Sequence, residues 1–504
     1  MTTANSQNAK KRDDGLKSIV SLTWVMIEKF GTVAISIVTF FVFAKVLGPA
    51  EFGIGVFAMS IGQFLVMAFT SLFQDILVQK KEIDEQDKNT NFWSCVGIGT
   101  IGALLLVIGS VIWAQFGDPR VAWMSAFGAI QIPLTAISLT HMALLRRADQ
   151  FKVLAGRTLI GRALGAAVSI GMVYGGYGAW SLVAQPVAMS AFATAALWLM
   201  SPWRPRWSFS TRLMMDHLRF GAPLAVRGMV YDIFTRSLPI VVGIFAGHAA
   251  TGIVTLAWRI VELPRSAISS GLIGFSLPHL SRRQDSLEQV QRAYQSLTRA
   301  TTLITTAMFL GEFIIAGPLI RIIFGPEWES AIPTTQIFAV AAAWSFAQQY
   351  AGVGLTAVGR PAALLAFHVV SVFLSLALFP ALLLAGMGPI SAGVIQVLRL
   401  ALWTPANFSI LRRVMGLSVA QQLKAITPAI GAGTAMVVAG VTAEHFLRRQ
   451  LSDPILLVVL IGLGALVYAG VLSVLDRAWI SELSGLFKRG RARTGARDNA
   501  KGAL

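Results

Sequence analysis

Only 13% of these 504 residues are charged, about half the share of an ordinary soluble domain, which excludes a water-soluble globular protein. Cysteine occurs once. Cys95 can form no disulfide within the chain, and its place inside an apolar block makes it a small packing residue. The six histidines, His141, His217, His248, His279, His368 and His445, include no pair at metal-ligand spacing, so no metal site is expected. A G-x-x-x-x-G-K-[ST] loop is missing, so ATP hydrolysis on this chain is not expected, and neither is any other cofactor. The apolar stretches lack the strict alternation of barrel strands, which excludes a transmembrane β-barrel. No secretory signal is expected either, because the polar start through Lys17 runs into an apolar block too long for a signal segment.

What is abundant is apolar: 55% hydrophobic residues and a mean hydropathy of +0.67. They fall in blocks of about 20 residues, the length at which a helix rising about 1.5 Å per residue crosses about 30 Å of hydrocarbon. The predicted architecture is an all-α polytopic membrane protein of about fourteen transmembrane helices. A cytoplasmic segment (1–18) precedes a first lobe of six spans (19–203), a cytoplasmic linker (204–217) and a second lobe of six (218–411). An extra helix pair (425–475) and a basic cytoplasmic tail (476–504) follow.

The net charge of +18 would suggest nucleic acid as a partner in a soluble protein, but here its distribution points to topology instead. Of the 42 basic residues, 31 fall in the termini and even-numbered connections, among them Arg146, Arg147, Lys152, Arg157 and Arg162, and five in odd-numbered ones. That bias predicts both termini in the cytoplasm and an even number of spans, with the tail touching anionic lipid.

A shift of 199 residues lays Gly48 and Gly53 on Gly247 and Gly252, each pair in the first outer turn of its lobe, and lays the charged stretch from Gln79 over that from Pro278. The reading is a duplication of six spans related by an axis along the membrane normal.

Charges inside spans cost about 2.5–3.5 kcal/mol each on insertion scales and should face protein or water. They are Glu28 and Lys29 in span 1; Arg227, Asp232 and Arg236 in span 7; Arg259, Glu262 and Arg265 in span 8; Glu312 in span 9; and Arg399 in span 12. Six bases against four acids make an interior suited to an anionic group. Asp232 with Arg236, and Arg259 with Glu262 and Arg265, share helix faces and can equally be packing pairs. Arg227 and Arg399 have no acid three or four residues away and need a partner from another helix or a ligand. The 199-residue shift also relates Glu28 to Arg227, so the two are candidates to meet across the lobes. The alternative is that Glu28 pairs within its own lobe.

Several ordered patterns then resemble one family: Ala44-Lys45-Val46-Leu47-Gly48-Pro49-Ala50-Glu51-Phe52-Gly53, Gln79-Lys80-Lys81 with Asn91-Phe92-Trp93, and Leu144-Leu145-Arg146-Arg147 with Phe151-Lys152. Trp258-Arg259-Ile260 with Leu263-Pro264, Phe324-Gly325-Pro326-Glu327-Trp328 and Gly359-Arg360-Pro361 continue the series. Together they are similar to the Wzx-type, WzxC-like polysaccharide flippases of the MOP superfamily. The resemblance implies two six-helix lobes plus an extra pair, and translocation by alternating access of oligosaccharide linked to an undecaprenyl-type diphosphate. It also implies a bacterial inner membrane and work beside a glycan polymerase and a chain-length regulator. Lys45 departs from the family's usual Arg, and Leu238-Pro239 stands where a polar pair such as Asp-Asn is common.

The resulting expectation is a flippase, not an enzyme. Arg227, Arg399, Arg236, Arg259 and Lys29 would hold the substrate, and Glu28, Asp232 and Glu262 would serve coupling or gating. The alternatives are a multidrug exporter of the same superfamily, which would want a more acidic cavity, and a membrane glycan polymerase or transferase, which would want external catalytic residues.

Overall fold

A computed structural model describes residues 2–70, 73, 76–284, 286–360 and 363–476, with side chains described for all of these except 2–19, 22, 220, 222–235, 270, 273–275 and 365. Most of the described residues are helical, and none is in a strand. In chain order the helices are α1 (Thr2–Thr70), α2 (Ile76–Gln79), α3 (Glu85–Trp113), α4 (Pro119–Gly128), α5 (Gln131–Arg147), α6 (Phe151–Tyr174), α7 (Trp180–Met200) and α8 (Thr211–Ser281). They continue with α9 (Leu287–Ile323), α10 (Ile332–Ala347), α11 (Ala351–Ala357), α12 (Leu365–Leu382), α13 (Ile390–Met415), α14 (Val419–Leu447) and α15 (Asp453–Leu475). The basic tail expected after residue 476 lies outside the described residues.

Among the described residues, eleven helices are long and apolar enough to cross a membrane, making this a multi-pass membrane protein. The difference from fourteen has a local cause. Expected spans 1 and 2 form one helical run broken at Gly48, spans 7 and 8 another broken at Gly247, and span 10 is divided between α10 and α11. The apolar run Thr23–Thr70 is 48 residues long. At about 1.5 Å per residue that is more than twice the hydrocarbon thickness, so the break at Gly48 has to separate two passes.

The chain divides into two compact units, one comprising Met1–Thr255 with Leu382–Pro389 and the other Leu256–Ala381 with Ile390–Leu504. In the first unit the two helix breaks meet. Gly48 (φ 66°, ψ 172°) and Gly247 (φ 84°, ψ 176°) share one backbone conformation, in the left-handed half of φ space that glycine enters without a Cβ penalty. The turns then cross reciprocally. A Cβ on Gly53 would overlap the His248 carbonyl, and a Cβ on Gly252 would overlap the Pro49 carbonyl. The offset between Gly53 and Gly252 is the same 199 residues as between Pro49 and His248, so the contact is made twice by equivalent atoms. Beside it, Glu51 takes a two-pronged ion pair from Arg120 at 2.9 and 3.0 Å and a hydrogen bond from the Ala179 amide at 3.0 Å.

At the other end of this unit, the segment after α7 is stitched to the start of α3. Asn89 Oδ1 accepts from the Arg206 amide at 2.7 Å, the Trp93 indole donates to the Arg206 carbonyl at 2.9 Å, and Trp93 stacks on Trp207 at 4.1 Å. Asp84 and Asp87 form a capping box at the head of α3. Asp87 also receives Lys80 at 2.6 Å and lies 3.5 Å from His217 Nε2 on α8. Cys95 is buried, in agreement with a packing role.

In the second unit α14 and α15 pack on α9. Gly433 and Gly440 of α14 leave room for Thr306, Leu310 and Ile314, the small-residue contact that lets membrane helices approach. Ion pairs fasten both ends: Arg321 with Asp453 at 2.9 Å and Arg299 with Asp476.

Two outcomes are expected. Gly53→Ala and Gly252→Ala should each lower the unfolding temperature of the detergent-solubilised protein, on the scale of about 1–3 kcal/mol for a forced overpacking. Gly109→Ala, where a Cβ meets nothing within 4 Å, should not. Equal effects at all three positions would show that the crossing is not a tight contact. His217 gives a pH signature, because its side chain is 4% exposed and burial pushes the imidazole below its ordinary value of about 6.5, with the Asp87 carboxylate opposing. A base depressed on folding stabilises fully above its unfolded value, and that contribution is lost as the pH falls below it toward the folded value. Stability should therefore decline on acidification below about 6.5, and His217→Gln should flatten the decline.

Candidate substrate site

The interior charges separate when placed on the helices. Arg227 and Asp232 lie outside the residues whose side chains are described, so the pairs expected of them, Glu28 with Arg227 and Asp232 with Arg236, are not visible. Arg236 is half-buried on α8. In the second unit Glu262 and Arg265 form a two-pronged ion pair at 2.5 and 2.9 Å, which is the packing alternative for that set, and the Glu262 carboxylate also acts on exposed Arg259. Arg399 donates to Gln396, one turn earlier on α13, at 3.1 Å. Lys29 is exposed on α1. Glu312 on α9 is 8% exposed, and its Oε1 has no hydrogen-bond partner.

Glu28 finds its electrostatic partner in its own unit. Glu28 stands three residues before Gly31 on α1 and Arg157 two residues before Leu159 on α6, so the Gly31–Leu159 contact brings the carboxylate and the guanidinium to the same level of the α1–α6 packing. Helices α1 and α6 run side by side there: Gly31 leaves space filled by Leu159, and Arg162 donates to Ser36 Oγ at 3.0 Å. On its other flank α6 closes onto α7, where Gly161 and Gly165 lie against the Met189 backbone.

These contacts turn Arg157 and Arg162 toward a chamber of about 280 Å³ inside the first unit. Helices α1, α5, α6 and α7 wall it, with Thr70, Gln131, Thr135, Thr158 and Ser190 among the lining residues and no carboxylate. Arg157 Nε is buried without a hydrogen-bond partner. The hydroxyls of Thr70, Thr135 and Thr158 donate to the carbonyls of Val66, Gln131 and Leu154 in their own helices at 2.6 to 2.9 Å. Such a hydroxyl can rotate to serve a ligand, while a guanidinium offers donors only. Donor-rich and free of acid, the chamber is chemically built for anionic oxygen.

These two arginines correct the charge census. Counted as loop anchors, Arg157 and Arg162 in fact lie six and eleven residues past the start of α6 at Phe151. At about 1.5 Å per residue that is roughly 9 and 16 Å along the helix, which places both within α6 and not in the connection before it. Depth from the helix start was the signal available in the sequence.

Comparison with known proteins agrees with this architecture. A family model described as "Polysaccharide biosynthesis protein" matches residues 42–333. The chain is 26% identical to the succinoglycan biosynthesis transport protein ExoT of Rhizobium meliloti (strain 1021) over 63% of its own length and 64% of that protein, just under two thirds of this relative. It is 22% identical to the teichuronic acid biosynthesis protein TuaB of Bacillus subtilis (strain 168), over 83% of this chain and 87% of that one. The lipopolysaccharide biosynthesis protein WzxC of Escherichia coli (strain K12) is also 22% identical, over 81% and 83% respectively. Among solved structures, the lipid II flippase MurJ in an inward closed conformation superposes with a TM-score of 0.68 at 14% identity, covering 92% of this chain and 99% of that one. An inward-facing MATE family multidrug resistance transporter of the MOP superfamily gives 0.52, covering 79% and 98%. The fold is thus that of MOP superfamily transporters, and with more than half of its residues matched the chain belongs to the polysaccharide biosynthesis protein family.

Proposed function

We propose that this protein is a bacterial inner-membrane flippase that carries a polyprenyl-diphosphate-linked oligosaccharide from the cytoplasmic to the periplasmic leaflet for exopolysaccharide, capsule or O-antigen assembly. The observation that carries the reading is the acid-free chamber with two arginines in a chain of this family and fold. Cationic drugs would call for carboxylates there. Sugar and diphosphate cannot enter hydrocarbon at reasonable cost, whereas the polyprenyl tail can stay in it. A carrier therefore needs a polar, basic interior and two access states.

In this reading the lobes 19–203 and 218–411 alternate around the substrate, with both termini in the cytoplasm and 425–475 as an added pair. Arg227, Arg236, Arg259, Arg399 and Lys29 would line the path of the head group, and Glu28, Asp232 and Glu262 would take part in coupling. A glycan polymerase and a chain-length regulator would receive the product.

In proteoliposomes the purified protein should move lipid-linked oligosaccharide between leaflets without altering its mass. A longer glycan would establish a polymerase, and export of a cationic dye with no movement of the glycolipid would establish a drug exporter. Reporter fusions at Lys88, Arg206, Met415 and Lys501 should read cytoplasmic and those at Pro119, Gly247 and Arg449 external. The reverse pattern would invert the topology.

A further inference from the structure

We propose that the chamber between α1, α5, α6 and α7 is the seat of the diphosphate, bound by Arg157 and Arg162, and that Glu28 is an internal counter-ion which neutralises Arg157 when the seat is empty and gives way when substrate arrives. The inference rests on the flippase reading and assigns the substrate's charged group to one half of the protein.

Four observations converge on it. Arg157 has a buried Nε without a partner, so its donor capacity is not exhausted by the protein. The lining residues include no acid, and Glu28, at the level of Arg157 across the Gly31–Leu159 contact of α1 with α6, is not among them. Arg162 is held toward α1 by Ser36, which fixes the second guanidinium five residues further along the same helix. The volume of about 280 Å³ sits at the lower edge of small-ligand pockets, which run from about 300 Å³. That admits a diphosphate with at most its first sugar and excludes an oligosaccharide, whose remainder has to lie outside the chamber.

The role of Glu28 follows from the transport cycle. A carrier that delivers an anion returns without it, and a guanidinium at membrane depth with neither counter-charge nor water is costly. A carboxylate on the neighbouring helix supplies the missing negative charge on the return and has to be displaced by the diphosphate on the forward step. Substrate binding is thereby linked to the position of α1 against α6, the packing marked by Gly31 and Leu159.

The test uses full-length protein in detergent, with farnesyl diphosphate as the probe, inorganic pyrophosphate as the tail-free competitor and phosphatidylglycerol as the control for ordinary anionic lipid. The wild type should bind farnesyl diphosphate, pyrophosphate should compete, and phosphatidylglycerol at equal concentration should not. Arg157→Gln and Arg162→Gln should each weaken binding by at least about tenfold, as expected for a lost charge-assisted hydrogen bond, and Arg157→Lys should recover part of the loss. Glu28→Gln should tighten binding severalfold yet slow multiple-turnover translocation in proteoliposomes. Folding is controlled by the unfolding temperature of each variant, and the tightening by Glu28→Gln is an outcome that a misfolded variant cannot give.

Unchanged binding in the Arg157→Gln/Arg162→Gln double variant would overturn the seat, as would competition by phosphatidylglycerol equal to that by pyrophosphate. Unchanged binding in Glu28→Gln would overturn the counter-ion. Either failure alongside normal translocation of lipid-linked oligosaccharide by the wild type leaves the flippase reading intact. Arginine-dependent diphosphate binding without any translocation overturns the flippase reading and leaves the seat.

Discussion

An ionised side chain surrounded by hydrocarbon has to find a counter-charge or water, and this requirement orders the whole chain. Where the protein needs only to be held together, the counter-charge is built in. Arg321 meets Asp453 and Arg299 meets Asp476 at the two ends of the α9–α15 contact, and Arg265 grips Glu262 within one turn of α8. In each case a carboxylate of the protein lies within ion-pair distance of the guanidinium. Arg157 and Arg162 differ, because both line a chamber whose lining residues include no acid, with Ser36 of α1 accepting from Arg162. In the proposed seat the negative charge would come from the cargo.

The glycine crossing in the first unit obeys a steric rule instead. Two carbonyls lie where the Cβ atoms of Gly53 and Gly252 would be, so backbone rests on backbone with no side chain to rearrange between them. Such a contact cannot be adjusted gradually, since close-packed interiors resist small deformations and change by discrete steps. Its reciprocity also matters. Because equivalent atoms of the two turns make it twice, any separation that breaks one half breaks the other.

Much of this was legible in the residues. The 199-residue offset lays Gly48 onto Gly247, and both adopt the same positive-φ backbone because a turn from one membrane span into the next needs a residue without Cβ. Helix content followed from block length and the missing strand alternation. The site was less legible, for an identifiable reason. Basic residues near cytoplasmic helix ends obey the positive-inside rule, and Arg157 and Arg162 follow Arg146, Arg147 and Lys152 so closely that one explanation absorbed all five. What separates them is depth along α6 and the helices facing it. Facing is a tertiary property, set by Gly31, Gly161 and Gly165 letting α1 and α7 approach, and one-dimensional spacing does not reveal which helix arrives. The same limit applies to Glu28, whose counterpart by the repeat is Arg227, while the Gly31–Leu159 contact sets it at the level of Arg157.

A seat of this size and charge has a consequence for selectivity. A guanidinium pair reads phosphate oxygens, which are alike in every polyprenyl-diphosphate carrier whatever sugar it bears. Recognition in the proposed seat would set affinity for the class and be indifferent to the glycan. Under that proposal, discrimination among glycans would come from surfaces beyond the chamber, contacting sugars that about 280 Å³ would not enclose. Hydroxyl-rich sugars are rejected most effectively by leaving a buried polar group unpaired, which costs about 1–3 kcal/mol per group, so a few amide or hydroxyl side chains suffice. Affinity and specificity would therefore reside in different residues, and substitutions that change which sugar is accepted should fall outside α6.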